Sequence, residues 1–226
     1  MKNITKRIGF VAAYTGLVAF VVYTACFTAI LFVNEPYTWT DLAALVVYER
    51  GSHTVFKYLG MACMIVFSLA YALLTLCFAR QAQGGRGAAA QMALLSGSLF
   101  CALISANYFV QLTATRLQLR QGPGDGLLQF TQSYNLSALN AVNMLGWTVF
   151  YGLSTLALAF AVPRGALRFF CLLNAAFMAA GLIGYFFNHF LTLLLTMNLG
   201  LGGAGLGILV CCLCRFNPRA RAGRTG

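Results

Sequence analysis

Carboxylates are what this chain most lacks. Asp and Glu together number four in 226 residues, His appears twice, Pro four times, and charged residues make up only 8% of the chain. A soluble domain carries about 25% charged residues, and no soluble core absorbs a composition that is 60% hydrophobic. Lipid is therefore the expected solvent for most side chains. Glu35, Asp41, Glu49 and Asp125 all lie outside the long apolar runs, so the intramembrane carboxylates on which proton relays and most ion-coupled transporters rely are missing. No HExxH, GxSxG or Walker glycine loop is present, and nothing in the chain reads as a known enzyme motif. His53 and His189 make a poor transition-metal site without a third ligand. No metal, cofactor or catalytic residue is expected. Glu49, His53 and Lys57 fall four apart, but Gly51 and Ser52 break the helix that would align them.

Positive charge, by contrast, is in excess: the formal net charge is +11. In a soluble protein this would suggest nucleic acid. Here the basic residues sit between apolar runs, where they act as topology signals, and no nucleic-acid partner is expected. The eight cysteines do not make a disulfide framework, because Cys26, Cys63, Cys77, Cys101 and Cys171 lie inside apolar runs and behave there as small hydrophobes. Cys211, Cys212 and Cys214 read as small residues at a helix end; metal binding and lipidation remain alternatives.

A helix needs about 20 apolar residues to cross the hydrocarbon core. Six such runs are present, at about 9–33, 53–79, 88–113, 136–162, 166–188 and 192–214. The first follows MKNITKR and resembles a signal peptide in its charge, but its 25 uncharged residues far exceed an h-region of about 7–15. It is expected to remain as a span. In the region 34–52, Pro36 ends the first span and LAALVVYERG is too short to cross; it reads as an interfacial helix capped by Thr38, with Trp39 and Tyr48 at headgroup depth. LLQFTQ, in the connection after GPGDG, suggests another short helical turn. The fold class is thus an all-α six-helix membrane bundle, one domain over 1–214, with a basic tail at 215–226.

Six spans put both termini on one side. That side receives Lys2, Lys6, Arg7, Arg80, Arg86, Arg164, Arg168, Arg215, Arg219, Arg221 and Arg224, eleven of the fifteen basic residues. By the positive-inside rule, both termini are cytoplasmic. Arg50, Lys57, Arg116 and Arg120 fall on the outer side, and Arg116 and Arg120 read as headgroup anchors beyond the third span.

The polar side chains left inside the spans are in phase. At about 100° per residue, Asn107, Gln111 and Thr115 share an arc of about 80° on the third span. Asn140, Asn143, Trp147 and Tyr151 do the same on the fourth, and Asn174, Gly181, Tyr185 and Asn188 share about 60° on the fifth. Under the threading above, Asn107, Gln111, Asn140, Asn143, Tyr185, Asn188 and His189 belong to the outer half, and Asn174 lies deeper. Amides facing lipid would be unpaired, so the stripes should turn inward and meet. Two readings stay open: the amides bond to one another and lock helix packing, or they line a pocket with Trp147 and Tyr151 as its floor. On the sixth span, Gly200 with Ala204 and Gly203 with Gly207 form small-xxx-small pairs that admit close helix packing, within the chain or with a second copy.

The runs NYFVQLT (107–113), LLQFTQSYN (127–135) and MLGWTVFYGLSTLALA (144–159) resemble a pattern in a group of small six-helix bacterial membrane proteins of no established activity. The resemblance covers about 50 residues and implies a bacterial inner-membrane location, with no functional residue to carry over. The leading function is non-catalytic: binding of a lipid or small molecule, or an accessory role beside a partner helix. A transporter of a neutral solute is the first alternative, and a lipid-headgroup enzyme using His53 or His189 as base is the second.

Overall fold

The computed structural model describes residues 2–35, 37–121 and 126–217. Pro36, residues 122–125 with Asp125, and the basic tail from Pro218 lie outside the described residues. Among those described there is no strand, and six helices are long and apolar enough to cross a membrane. Helix is the form that apolar sequence takes in lipid, because every backbone group must find its partner within the segment.

The elements are α1 (Lys2–Val33), α2 (Leu42–Gly51), α3 (Val55–Gln81), α4 (Gly84–Gln121), α5 (Ala138–Ala161), α6 (Ala166–Phe186) and α7 (Leu191–Phe216). Short connections make sequential helices neighbours. α1 packs on α3, α3 on α4, α4 on α5, α5 on α6, and α6 on α7; α7 then closes the ring against α1. Of the most apolar stretch of each helix, half is buried in α3 and 56% in α5 but only 22% in α1, so α3 and α5 are central and α1 stands at the rim.

Aromatic side chains fill the middle of the ring. Phe67 and Tyr71 of α3, Phe100 of α4, and Trp147 and Tyr151 of α5 are all buried. Their nearest ring pairs are Phe100–Trp147 at 4.8 Å and Tyr71–Tyr151 at 4.9 Å, both edge-on, the geometry that ring quadrupoles favour. The buried Tyr71 hydroxyl donates to Ser154 Oγ (3.0 Å), which donates to the Ala93 carbonyl (2.7 Å).

Three helices contain π-helical turns, at Gln111–Thr115 in α4, Leu145–Tyr151 in α5 and Thr196–Gly205 in α7. Such turns leave backbone carbonyls without their usual partner. In α7 the Gly200 carbonyl is answered from α6, where Asn174 Nδ2 donates to it at 2.8 Å; Asn174 Oδ1 lies 3.1 Å from Thr155 Oγ1 of α5. The deep amide of the fifth span is thus a three-helix clamp. Gly200 also admits Met178 and Phe177 of α6, and Gly207 admits the Phe170 ring. These close approaches are internal to the chain, while Gly202 and Gly203 face open space.

The ends of several helices differ from the sequence expectation. α4 runs through its π turn to Gln121, so Arg116 and Arg120 belong to the helix rather than to a loop beyond it. Arg50 explains the extension: its Nε donates to the Leu119 carbonyl (3.2 Å) and Nη2 to that of Arg120 (3.3 Å), which caps the exposed carbonyls of a helix C-terminus. The N-cap of α2 is Asp41, not Thr38, with the Asp41 carboxylate accepting from Ala44 N at 2.8 Å. The break between α6 and α7 falls at Phe187–His189, where Asn188 adopts φ 49°, a left-handed conformation that Asn tolerates well.

Gly152 tests the ring packing. A Cβ there would stand 2.9 Å from Met178 Cβ on α6, whereas one at Gly203 would meet nothing within 4 Å. Gly152→Ala should destabilise the bundle by about 1–3 kcal/mol. Gly203→Ala should be neutral or stabilising by up to about 1 kcal/mol, and thermal unfolding in detergent reads both.

Candidate functional site

The connection between α4 and α5 explains most of the outer polar residues. Gly126, at φ 85°, opens it in the left-handed region, and Leu127–Phe130 then forms one 3-10 turn. Leu127 is buried against Leu119 of α4 and Leu45 and Val46 of α2, so the segment is held down among helix ends. Its backbone groups need partners there, and the helices supply them.

The Phe130 carbonyl accepts from both Gln111 Nε2 (2.6 Å) and Thr115 Oγ1 (2.9 Å), one from each end of the π turn in α4. The Asn135 carbonyl accepts from Asn140 Nδ2 (3.0 Å) and from the Tyr185 hydroxyl (3.4 Å). Ser137 Oγ caps α5 by accepting from Asn140 N (3.0 Å), and Gln129 Oε1 accepts from Ala138 N (3.0 Å). Asn107 Nδ2 faces Asn143 Oδ1 at 3.2 Å and Gln132 Oε1 at 3.4 Å, while its own Oδ1 is buried without a partner.

The nine candidates therefore do not share one pocket. Asn107, Gln111, Asn140 and Asn143 come together as a network that fastens residues 126–137 across α4 and α5. Tyr185 joins its edge. Trp147 and Tyr151 lie in the central aromatic core instead of flooring this cluster. Asn188 forms the α6–α7 turn, and His189 caps α7, its Nδ1 accepting from Thr192 N at 3.3 Å.

Beside that network is a cavity of about 300 Å³. α1 contributes Tyr23, Phe27 and Ile30; α3 contributes Phe56, Lys57, Gly60 and Met61; α4 contributes Tyr108 and Gln111; and the connecting segment adds Gln132 and Ser133. The lining is largely aromatic and aliphatic, and it includes the polar residues Lys57, Gln111, Gln132 and Ser133. Gln111 alone of the sequence candidates lines it, joining cavity to network.

Lys57 does not stand alone in this lining. It forms an ion pair with Glu49 of α2, whose side chain is only 6% exposed and whose Oε2 has no hydrogen-bond partner. The Arg116 guanidinium lies 5.6 Å over the Tyr58 ring, with its Nε buried and unpartnered. Arg116 is thus folded inward rather than extended to the headgroups. His53 takes no part in the pair; its backbone N–H donates to Asn34 Oδ1 (2.8 Å). Among the described residues, no three His, Cys, Asp or Glu side chains gather as a metal site.

Sequence periodicity could not find the cavity, because much of its apolar lining comes from α1, which has no polar stripe, and its cation comes from the first turn of α3. The signal available was Lys57 itself, a lone cation one turn inside an apolar run. Comparison with known proteins finds no matching family model, no matching curated protein and no matching solved structure.

The double variant Gln111→Leu/Thr115→Val removes both donors to the Phe130 carbonyl. Hydrogen exchange over residues 127–135 should quicken, corresponding to a loss of about 1–2 kcal/mol. Thr113→Val, whose hydroxyl bonds only its own helix at Phe109, should leave exchange there unchanged.

Proposed function

We propose that this chain is a bacterial inner-membrane protein with both termini in the cytoplasm, and that it holds an amphiphilic small molecule or lipid in the cavity between α1, α3, α4 and residues 126–137. The observation that carries this reading is the mixed lining of that cavity, where Phe27, Ile30, Phe56 and Met61 stand with Lys57, Gln111, Gln132 and Ser133. A ligand with an apolar body and a polar or anionic end fits it. Sites of this kind combine a mostly apolar lining with a few placed polar groups. The rigid support under Gln111 and Gln132 favours binding, since the donors are already oriented by the loop they fasten.

Support for this threading comes from the sequence, where eleven of the fifteen basic residues precede the first apolar run, lie in or beside the second and fourth connections between runs, or follow the sixth. In that orientation the cavity opens in the outer half of the bilayer, and α2 lies along the outer interface with Trp39 and Tyr48 at its surface.

Transport of a neutral solute would require a polar path onward to the cytoplasmic side. The deep polar groups do not favour it, because Asn174, Ser154 and Tyr71 are engaged with partners inside the helix packing. Enzymatic attack on a headgroup would want an imidazole in the cavity wall, and the two imidazoles are placed elsewhere.

Gly60 lines the cavity at a point where an added Cβ would stand 3.4 Å from the Tyr23 ring and 3.6 Å from Cys26 Cβ, so Gly60→Leu would narrow it. Protein purified in mild detergent should carry an amphiphile detectable by mass spectrometry, with its occupancy reduced about tenfold in Gly60→Leu of unchanged thermal stability. Absence of any bound amphiphile in the parent protein, or full retention in the variant, overturns the reading. For the threading, single cysteines placed near Lys2 and after Arg215 in a cysteine-free background should resist impermeant maleimide in intact cells and label after lysis.

A further inference from the structure

We propose a second site at the opposite end of the bundle, one that takes a phosphate-bearing anion between Arg86 and Arg215. A cavity of about 220 Å³ lies there among the end of α3 (Phe78, Gln81), the turn after it (Gln83), the first turn of α4 (Arg86) and the last turn of α7 (Arg215). Two arginines and two glutamines line one small space, and no Asp or Glu is among its described lining residues.

The bland alternative is that these arginines answer the negative ends of α3 and α7, as basic residues in a last helical turn often do. The contacts speak against it. Neither Arg86 nor Arg215 makes a hydrogen bond to a helix carbonyl, or an ion pair, among the described residues. The Arg215 guanidinium instead lies 5.4 Å over the Phe78 ring, which is wedged edge-on against Phe216 at 5.1 Å. Stacking of this kind fixes the plane of the guanidinium and leaves its N–H edge for another group. The described acids cannot supply that group: Glu35, Asp41 and Glu49 are all at the far end of the bundle, and the sequence from Arg215 onward contains no acid.

Two positive charges held together without a counterion repel each other, and an anion relieves this while its oxygens accept from both forks. Phosphate suits the arrangement because it offers several oxygens to non-parallel donors. The volume is below the range of about 300–1,000 Å³ that holds a whole drug-sized molecule, which matches a headgroup or a small phosphate ester. The site is independent of the amphiphile cavity, which lies at the other end of α3 and α4.

The test is native mass spectrometry of the full chain in neutral detergent, with short-chain phosphatidic acid as one probe and inorganic phosphate as the other. Arg86→Gln and Arg215→Gln should each lower retention of the bound probe about tenfold. Arg164→Gln, at the same end but outside the cavity wall, should stay within about twofold. Retention of the lipid unaffected by millimolar inorganic phosphate identifies a membrane phosphate as the source; displacement by inorganic phosphate identifies a soluble one. Equal losses in all three variants would reduce the effect to bulk charge, and wild-type retention in Arg86→Gln and Arg215→Gln, or no retention of either probe, would overturn the site.

Discussion

A backbone carbonyl away from water must be answered by a donor within the protein, and that constraint organises this structure. The helices meet it along most of their length. Where they do not, at the π turn of α7 and in the connection between α4 and α5, side chains complete the bonding. Asn174 reaches the Gly200 carbonyl, Gln111 and Thr115 reach that of Phe130, and Asn140 reaches that of Asn135. Arg50 does the same from outside by capping the end of α4. The scarce polar residues of an apolar chain are spent almost entirely on such carbonyls.

This economy also shapes the cavity. Because Gln111 and Gln132 are held by the bonding of the connecting segment, the polar lining of the cavity is fixed before any ligand arrives. Part of its apolar lining comes from α1, the helix least committed to the core. The Glu49–Lys57 pair adds a charge that is balanced while buried, which lowers the cost of keeping an ammonium near lipid.

The six spans were legible in the sequence because length and hydropathy are properties of single segments. The polar phase of Asn107, Gln111 and Thr115 was legible for the same reason. What those groups bond to was not, since the Phe130 carbonyl carries no mark in the sequence of being buried. Trp147 and Tyr151 show the limit of phase more plainly. They share an arc with Asn140 and Asn143, yet depth and the π turn at Leu145–Tyr151 carry them into the aromatic centre. The extension of α4 past Thr113 depended on Arg50, some seventy residues earlier, and no local rule could supply it. The lengths of α2 and of the α6–α7 turn were nearer to reach, because caps such as Asp41 and Asn188 act within a few residues.

The ring order of the helices bears on how the protein is made. Each helix packs on the one before it, so most contacts form between neighbours as the chain emerges, which is the pattern that favours rapid assembly. The seam between α1 and α7 is the exception. There Phe216 fills the space opposite Gly9, and Leu209 sits against Gly16, joining the first span to the sixth. Until α7 enters the bilayer, the inner face of α1 has only α3 beside it and must wait against lipid or the insertion machinery. Assembly of the six spans therefore passes through an open crescent of five, which the insertion of α7 closes.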